Sequence, residues 1–546
     1  MKYVPISRTT VAEKCIPDLV ENAKKHICET LKKHSSISVT VDIWSDRTLR
    51  SFLGITAHVC NTSEDVYTLD SFLLDCKHFP SRHTGENISM AFDDITEEYG
   101  ITSKIDYIIT DNVANMKCAF KVKLPQQSVD PADDNEEEMD NLDDEELWED
   151  LDNNQETLID MARSRQRLSC FAHSLQLVIG DGLKEAKFIS LAIAKATKLT
   201  SLLHSSTTFK NRFEGTFGSG KSIPVTNVTR WNSTFKQVQA ITSLDYRNLA
   251  EVCGKEFENV VFTPREWNQL QELSVILGPF SEATDLTQGE KSVTISMVVP
   301  TVLDLNTHLL KMGETRCQCQ PLIKALHTSL QRRFSGIFVK AKMARECETP
   351  MPFYQDAYFL SKMLDPQFGL NWIDLDVTNS DASSLKKFRE DLKKTLTNTL
   401  ISAVESMAVA DGEATQQMNA LNADDSSSNN SPPPPAKLPR LVARYKAHKS
   451  QHNHTVEASI SDQMSKYFSD IQDPCSDTAL VFWSKNKDRY PQLHALAVKL
   501  LSVPASSAPV ERVFSRGGLI MRPHRARLGS RMVSSLIFLK SNYAHL

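Results

Sequence analysis

The residues from Ser36 to Asn112 constrain the fold more than any other stretch. "SISVTVDIW" alternates strictly, placing Ile37, Val39 and Val41 on one face and Ser38, Thr40 and Asp42 on the other. That period of two is the signature of a half-buried strand. "SFLGITAHV" and "VYTLDSFLL" follow at hairpin-like spacing. "TGENISMAFDDITEEYG" reads as a helix with Gly100 just past its end, and "IDYIITDN" as a short apolar strand ending at Asp111. Three strands, a helix and a further strand make an α/β arrangement, a mixed sheet with helices against it.

Two breaks divide the 546-residue chain, whose length implies more than one domain. Asp130 to Asp152 holds 14 acidic residues and no basic one. Dense like charge opposes packing, so this run is expected to be a disordered insertion. It also hides the balance elsewhere: the whole chain carries −6, and the chain without the run carries +8. From Leu501 to Leu546, seven Lys/Arg stand against one Glu, which is compatible with a polyanion partner. The second break, "DGEATQQMNALNADDSSSNNSPPPPAKLPR", is rich in Ser, Asn and Pro and reads as a disordered linker.

From Ala186 onward the pattern is mostly helical. In "TPREWNQLQELSVILG", Thr263 and Glu266 suit a capping box and Pro264 the first turn, while Trp267, Leu270, Leu273, Ile276 and Leu277 share one face. The stretch "GTFGSGKS", Gly215 to Ser222, matches a phosphate-binding loop letter for letter. Its flanks do not. A polar, charged segment precedes it where a buried strand is needed, and Pro224 opposes the helix that should follow. No nucleotide is expected there. "MKYVPISRTTVAEK" lacks an apolar signal-peptide core, and no uncharged run reaches transmembrane length. The chain is therefore expected to be soluble and intracellular, with no membrane partner. Its 11 cysteines are irregularly spaced and expected to be reduced.

Asp42 and Asp111 form the candidate constellation. If their strands are neighbours, two carboxylates could share divalent ions, which prefer hard oxygen ligands. Spacing alone leaves two other readings open: Asp42 as an exposed strand residue and Asp111 as a helix N-cap.

Five ordered blocks carry a resemblance to hAT-type transposases, in particular to the transposase-derived BED-type zinc-finger proteins of vertebrates. They are "SVTVDIWSDRTLRSFLGITAHV", "HTGENISMAFDDITEEYGITSKIDYIITDNVANM", "LSCFAHSLQLVIGDGLK", "TRWNSTF" and the long C-terminal block beginning "RYPQLHALAVKLLSVPASSAPVERVFS". The resemblance implies an RNase H-like mixed sheet interrupted by a large all-α insertion, followed by a C-terminal helical hAT dimerisation region. It implies an Asp-Asp-Glu site of Asp42, Asp111 and Glu511 holding Mg2+ or Mn2+. "SSAPVER" resembles a helix start, with Ser506 or Ser507 near the cap and Glu511 in the first turn, where the helix dipole favours a carboxylate.

Cys170 and His173 match the family's C-x-x-H pair. With no convincing second pair to complete four ligands, a structural or DNA-contacting role is expected rather than a zinc site. Arg230 and Trp231 match the Arg-Trp block. Trp231 is open between a core position and a plate for an unpaired DNA base. Family members usually begin with a BED finger, yet no such pattern precedes Ser36, so finger-based DNA reading is not expected of this sequence. The implied organisation is a helical lead-in (1–35), the first part of the catalytic core (36–185) with the acidic insertion (124–158), and a helical insertion (186–410). A linker (411–440), a basic connecting segment (441–472) and the dimerisation region with the last Glu (473–546) follow. DNA and a second copy of the chain are the implied partners, and the nucleus the implied location. Either an active transposase or a silent, dimerising regulator of transcription or chromatin fits these blocks.

Overall fold

In a computed structural model, the described residues are 6–45, 50–63, 65–80, 84–111, 166–225, 231–315, 317–345, 351–377, 382–421, 460–472, 477–521 and 528–545. The acidic run, most of the stretch read as a linker, and Arg230 lie outside them. The three strands expected near the start are present as β1 (Ile37–Ser45), β2 (Ser51–Asn61) and β3 (Thr68–His78), and the strand before Asp111 as β4 (Ile105–Thr110). The short strand β5 (Gln166–Ser169) was not legible. It has four residues, only two of them buried, which leaves no alternation to read. The sheet order is β3-β2-β1-β4-β5; β1 runs antiparallel to β2 and parallel to β4, and β5 is parallel to β4.

Local chemistry explains the helix beside the sheet. Thr84 caps Gly85–Glu98 by accepting the Asn87 N–H, and Gly100, at φ 63°, ends it in the left-handed conformation that glycine adopts without strain. Its inner residues Ile88, Phe92 and Ile95 join Val39, Val41, Ile55 and Leu74 of the sheet in one apolar core. Val513, Phe514, Val533 and Ile537, from helices Ala508–Ile520 and Ser530–Asn542, belong to the same core. Asn542 closes the edge strand: its side-chain amide accepts from Leu73 N–H and donates to Leu73 C=O, at 3.0 and 2.9 Å. An edge satisfied in this way is a poor template for pairing with another chain.

The capping box at Thr263 and Glu266 is present, and the helix runs from Pro264 to Thr287, with Pro279 inside it. The "GTFGSGKS" match straddles the C-terminal end of helix Thr207–Phe217, with Gly218 at φ 89°. A helix therefore leads into the motif where a phosphate loop has a strand.

The chain divides into two compact units, Met1–Val59 with Leu69–Gln355 and Ser502–Leu546, and Cys60–Thr68 with Asp356–Leu501. This division differs from the expected one in two ways. Residues 186–410 do not stay together: those through Gln355 belong with the sheet, and helix Ala382–Leu421 continues eleven residues into the stretch read as a linker. The C-terminal block is also divided, since helices Ala479–Asn486 and Pro491–Leu501 belong to the second unit and the two last helices to the first.

In the second unit, Trp483 stacks on Tyr467 at 5.3 Å and donates its indole N–H to Leu364 C=O at 2.7 Å. The block read as the dimerisation region contains Leu480, Phe482, Trp483, Leu493, Leu496, Ala497 and Leu500. All are buried within their own chain, with Trp483 only 1% exposed. Tyr467 and Tyr490 pack their rings on Trp483 and on each other within the same unit.

Candidate functional site

The sheet register brings Asp42 and Asp111 together. Val41 pairs with Thr110 across the parallel β1–β4 ladder, so the residues that follow, Asp42 within β1 and Asp111 just past the end of β4, lie side by side. Across the other edge of β1, Asp42 faces Gly54 of β2. The absence of a side chain there has a use: a Cβ at Gly54 would stand 2.6 Å from Val510 Cγ2 and 2.7 Å from Phe514 Cζ. The helix Ala508–Ile520 thus lies directly on Gly54, with Phe514 stacked on Trp44 at 5.6 Å. That contact carries Glu511, in the helix's first turn, to the neighbourhood of Asp42.

The electrostatics agree. Burial, then the charges of Asp111 and Glu511, push the Asp42 carboxyl well above the usual carboxylate range, although its own backbone neighbour Ile43 donates an N–H to Oδ1 at 2.8 Å. Asp111 and Glu511 both repel the Asp42 carboxyl, and all three are hard oxygen donors, the kind Mg2+ or Mn2+ takes. In kind of donor and in repulsion the residues fit such an ion. They are not closed on one point, since among the described residues no three His, Cys, Asp or Glu side chains form a metal-holding group.

Asp111 is held by several neighbours. Arg167 on β5 donates to Thr110 Oγ1 at 2.8 Å and to Asp111 C=O at 2.9 Å, clamping the end of β4. His173 Nδ1 stands 3.3 Å from Asp111 Oδ2, and Ser507 Oγ lies 3.2 Å from Oδ1. Arg167 and Ser507 escaped the sequence reading of the site. Arg167 sits on an unrecognised strand, and Ser507 was read only as a helix cap.

Cys170 and His173 have separate tasks. Cys170 caps helix Phe171–Glu185, its sulfur accepting the His173 N–H at 3.4 Å, and presents no surface to solvent. Burial and the Asp111 charge push its thiol up, which keeps it protonated. A direct contact of Cys170 with DNA is therefore corrected to an internal one, whereas His173 is half-buried beside Asp111. Trp231 opens helix Trp231–Thr242, half-buried with its ring 6.0 Å from Phe235, so it is neither a fully buried core residue nor a free plate.

Family models match the chain in three places: the "ZBED1 RNase-like domain" at residues 40–131, the "ZBED1 RNase-like helical domain" at 168–276 and the "hAT family C-terminal dimerisation region" at 464–543. The chain is a hAT transposase-like protein related to the BED proteins. The first stretch contains Asp42 and Asp111, the second Cys170, His173 and Trp231, and the third Glu511. Relatives share low identity over nearly the whole chain. The "Putative AC transposase" of Zea mays is 22% identical over 98% of this chain and 60% of its own length. "Zinc finger BED domain-containing protein 4" of Homo sapiens is 21% identical over 96% and 39%, and the "Transposable element Hobo transposase" of Drosophila melanogaster 24% over 93% and 70%. The hAT-like chain spans about three fifths of the length of the maize relatives it matches. No helix among its described residues is long and apolar enough to cross a membrane.

Proposed function

We propose that this hAT-like chain carries an RNase H-like Asp-Asp-Glu core, built from Asp42, Asp111 and Glu511, for cleaving and transferring DNA strands. One observation carries the reading. Residues 42, 111 and 511 are distant in sequence, yet the charges of Asp111 and Glu511 both act on the Asp42 carboxyl. Burying like charges together opposes folding unless a counter-charge joins them. The chemistry that Mg2+ or Mn2+ supplies when bound to such carboxylates is activation of an attacking oxygen and stabilisation of the leaving one. The chain's own residues hold the carboxylates: β1 and β4 set Asp42 beside Asp111, the Gly54 contact seats the Glu511 helix, and Arg167 anchors the Asp111 backbone.

DNA is the proposed substrate, with Arg230, Trp231 and His173 the residues that would face it, and the nucleus the proposed location. The hAT dimerisation match supports self-association.

The test is DNA nicking by the full chain in Mn2+, paired with melting in metal-free buffer. Asp42→Asn should abolish nicking. The same substitution should raise the thermal midpoint, because it removes a buried carboxyl that Asp111 and Glu511 repel. Undiminished nicking in Asp42→Asn would overturn the reading.

A second reading, a catalytically silent, dimerising regulator of transcription or chromatin, is favoured by the carboxylates not being closed on one point. It expects no nicking from the unsubstituted chain.

A further inference from the structure

The segment Ala505–Ser507 is an unusual piece of backbone. All three residues are buried and hydrogen-bonded to elements far away in the chain. Ala505 C=O accepts the Phe171 N–H at 2.9 Å, its own N–H donates to Thr294 Oγ1 at 3.0 Å, and Ser506 Oγ donates to Thr287 C=O at 3.1 Å. Ser507 then occupies the N-cap of the helix that carries Glu511, but its hydroxyl makes no capping bond to that helix. The hydroxyl lies instead 3.2 Å from Asp111 Oδ1 and 3.2 Å from Cys170 Sγ, and the Ser507 N–H donates to the same sulfur at 3.3 Å.

Proton bookkeeping fixes the direction of this chain of contacts. A serine hydroxyl has one hydrogen, so it cannot donate to both neighbours at once. A carboxylate is the far stronger acceptor, and a bond to it is charge-assisted. The hydroxyl hydrogen therefore goes to Asp111. The Cys170 sulfur already receives two backbone N–H groups, from His173 and Ser507. Its own S–H is left to donate to the Ser507 oxygen, in keeping with a thiol that burial holds protonated. The order is Cys170 S–H to Ser507 Oγ–H to Asp111 Oδ1.

We propose that Ser507 is a positioning residue: oriented by the Cys170 thiol, its hydroxyl sets Asp111 at a fixed place relative to the helix one turn before Glu511. A single residue thereby joins the end of β4, the C-x-x-H turn and the start of the Glu511 helix, where Glu511 N–H donates to Ser507 C=O at 3.2 Å. The cysteine of the C-x-x-H pair acts as a hydrogen-bond donor inside the protein. The proposal rests on the carboxylate reading given under Proposed function.

Two readouts on the full chain test it, one of them independent of any metal. The first is the infrared S–H stretch of Cys170, identified by its loss in Cys170→Ser. It should lie at the lowered frequency of a donating thiol, move toward that of a free thiol in Ser507→Ala, and stay in Ser507→Thr. A band that does not move in Ser507→Ala overturns the relay. The second is Mn2+ association measured by calorimetry. Ser507→Ala should weaken it about tenfold, the scale on which loss of a group orienting a ligand acts, and Ser507→Thr should restore it. Equal Mn2+ association in Ser507→Ala and the unsubstituted chain, with association lost in Asp42→Asn, overturns the positioning role and leaves the carboxylate site standing. An unsubstituted chain that does not associate with Mn2+ overturns the carboxylate reading, and the positioning role with it.

Discussion

His58 shows how far single residues on the polar side of this sheet are removed from water. It faces Ser38 across the β1–β2 ladder, with Nε2 3.0 Å from Thr40 Oγ1 and Nδ1 2.9 Å from Ser71 Oγ. Burial, then the Arg512 charge, pushes its pKa down to about 3. The unfolded chain titrates near the ordinary 6.5, so between about pH 6.5 and 3 the unfolded state binds the extra proton. Stability from this residue is complete above pH 6.5 and falls as the pH drops through that window, at a limiting slope of about 1.4 kcal/mol per pH unit. Urea titrations at pH 7.5, 6 and 5 should show that loss, and His58→Gln should remove most of it. An unchanged pH slope in His58→Gln would place the acid sensitivity elsewhere. Nothing in the alternation of "SFLGITAHV" distinguishes this buried, neutral histidine from a surface one, because its partners Thr40 and Ser71 lie on other strands.

At the scale of elements, the decisive contact is a helix on a glycine. A glycine inside an otherwise apolar strand marks a bulge or the close approach of another element. "SFLGITAHV" carries that signal in plain view, but the identity of the visitor was not readable from it. Gly54→Ala would drive a methyl group into Val510 and Phe514, and both are core side chains with little room to yield. Overpacking of this kind costs about 1–3 kcal/mol. The expected outcome is a lowered denaturation midpoint together with weakened Mn2+ association, because the displaced element is the one that bears Glu511. A Gly54→Ala chain that is less stable but associates with Mn2+ undiminished would show that the helix position does not govern the site. The capping box at Thr263 and the left-handed Gly100 were legible because each is decided within about four residues of chain.

For the whole molecule, the question is what the C-terminal apolar residues do. The matched hAT dimerisation region spans both units, from residue 464 to 543. Trp483 is spoken for inside its own chain by Tyr467 and Leu364. Trp483→Asp should therefore abolish the cooperative melt of the second unit, about 3–5 kcal/mol by the loss of a buried aromatic alone. Leu536, only half-buried on the last helix, is the better probe of self-association. Sedimentation should show a dimer at micromolar concentration, and Leu536→Asp a shift toward monomer with near-native circular dichroism. A monomeric unsubstituted chain would contradict the association inferred from the family match.

What the amino-acid sequence determined by itself was what neighbours in the chain govern: four of the five strands, the capping box at Thr263, the glycine stop at Gly100, and the placing of Asp42 in β1 and of Asp111 just past β4. Period, capping and turn chemistry act over a few residues, so they can be read along a line. Tertiary structure alone decided the rest. Ser507 meets Cys170 across 337 residues and Asp111 across 396, and no local rule anticipates a cap hydroxyl turned away from its own helix. Whether Trp483 and its neighbours faced a second copy or their own chain was likewise open to the sequence, because an apolar face specifies that it must be covered and leaves the cover to the packing of distant elements.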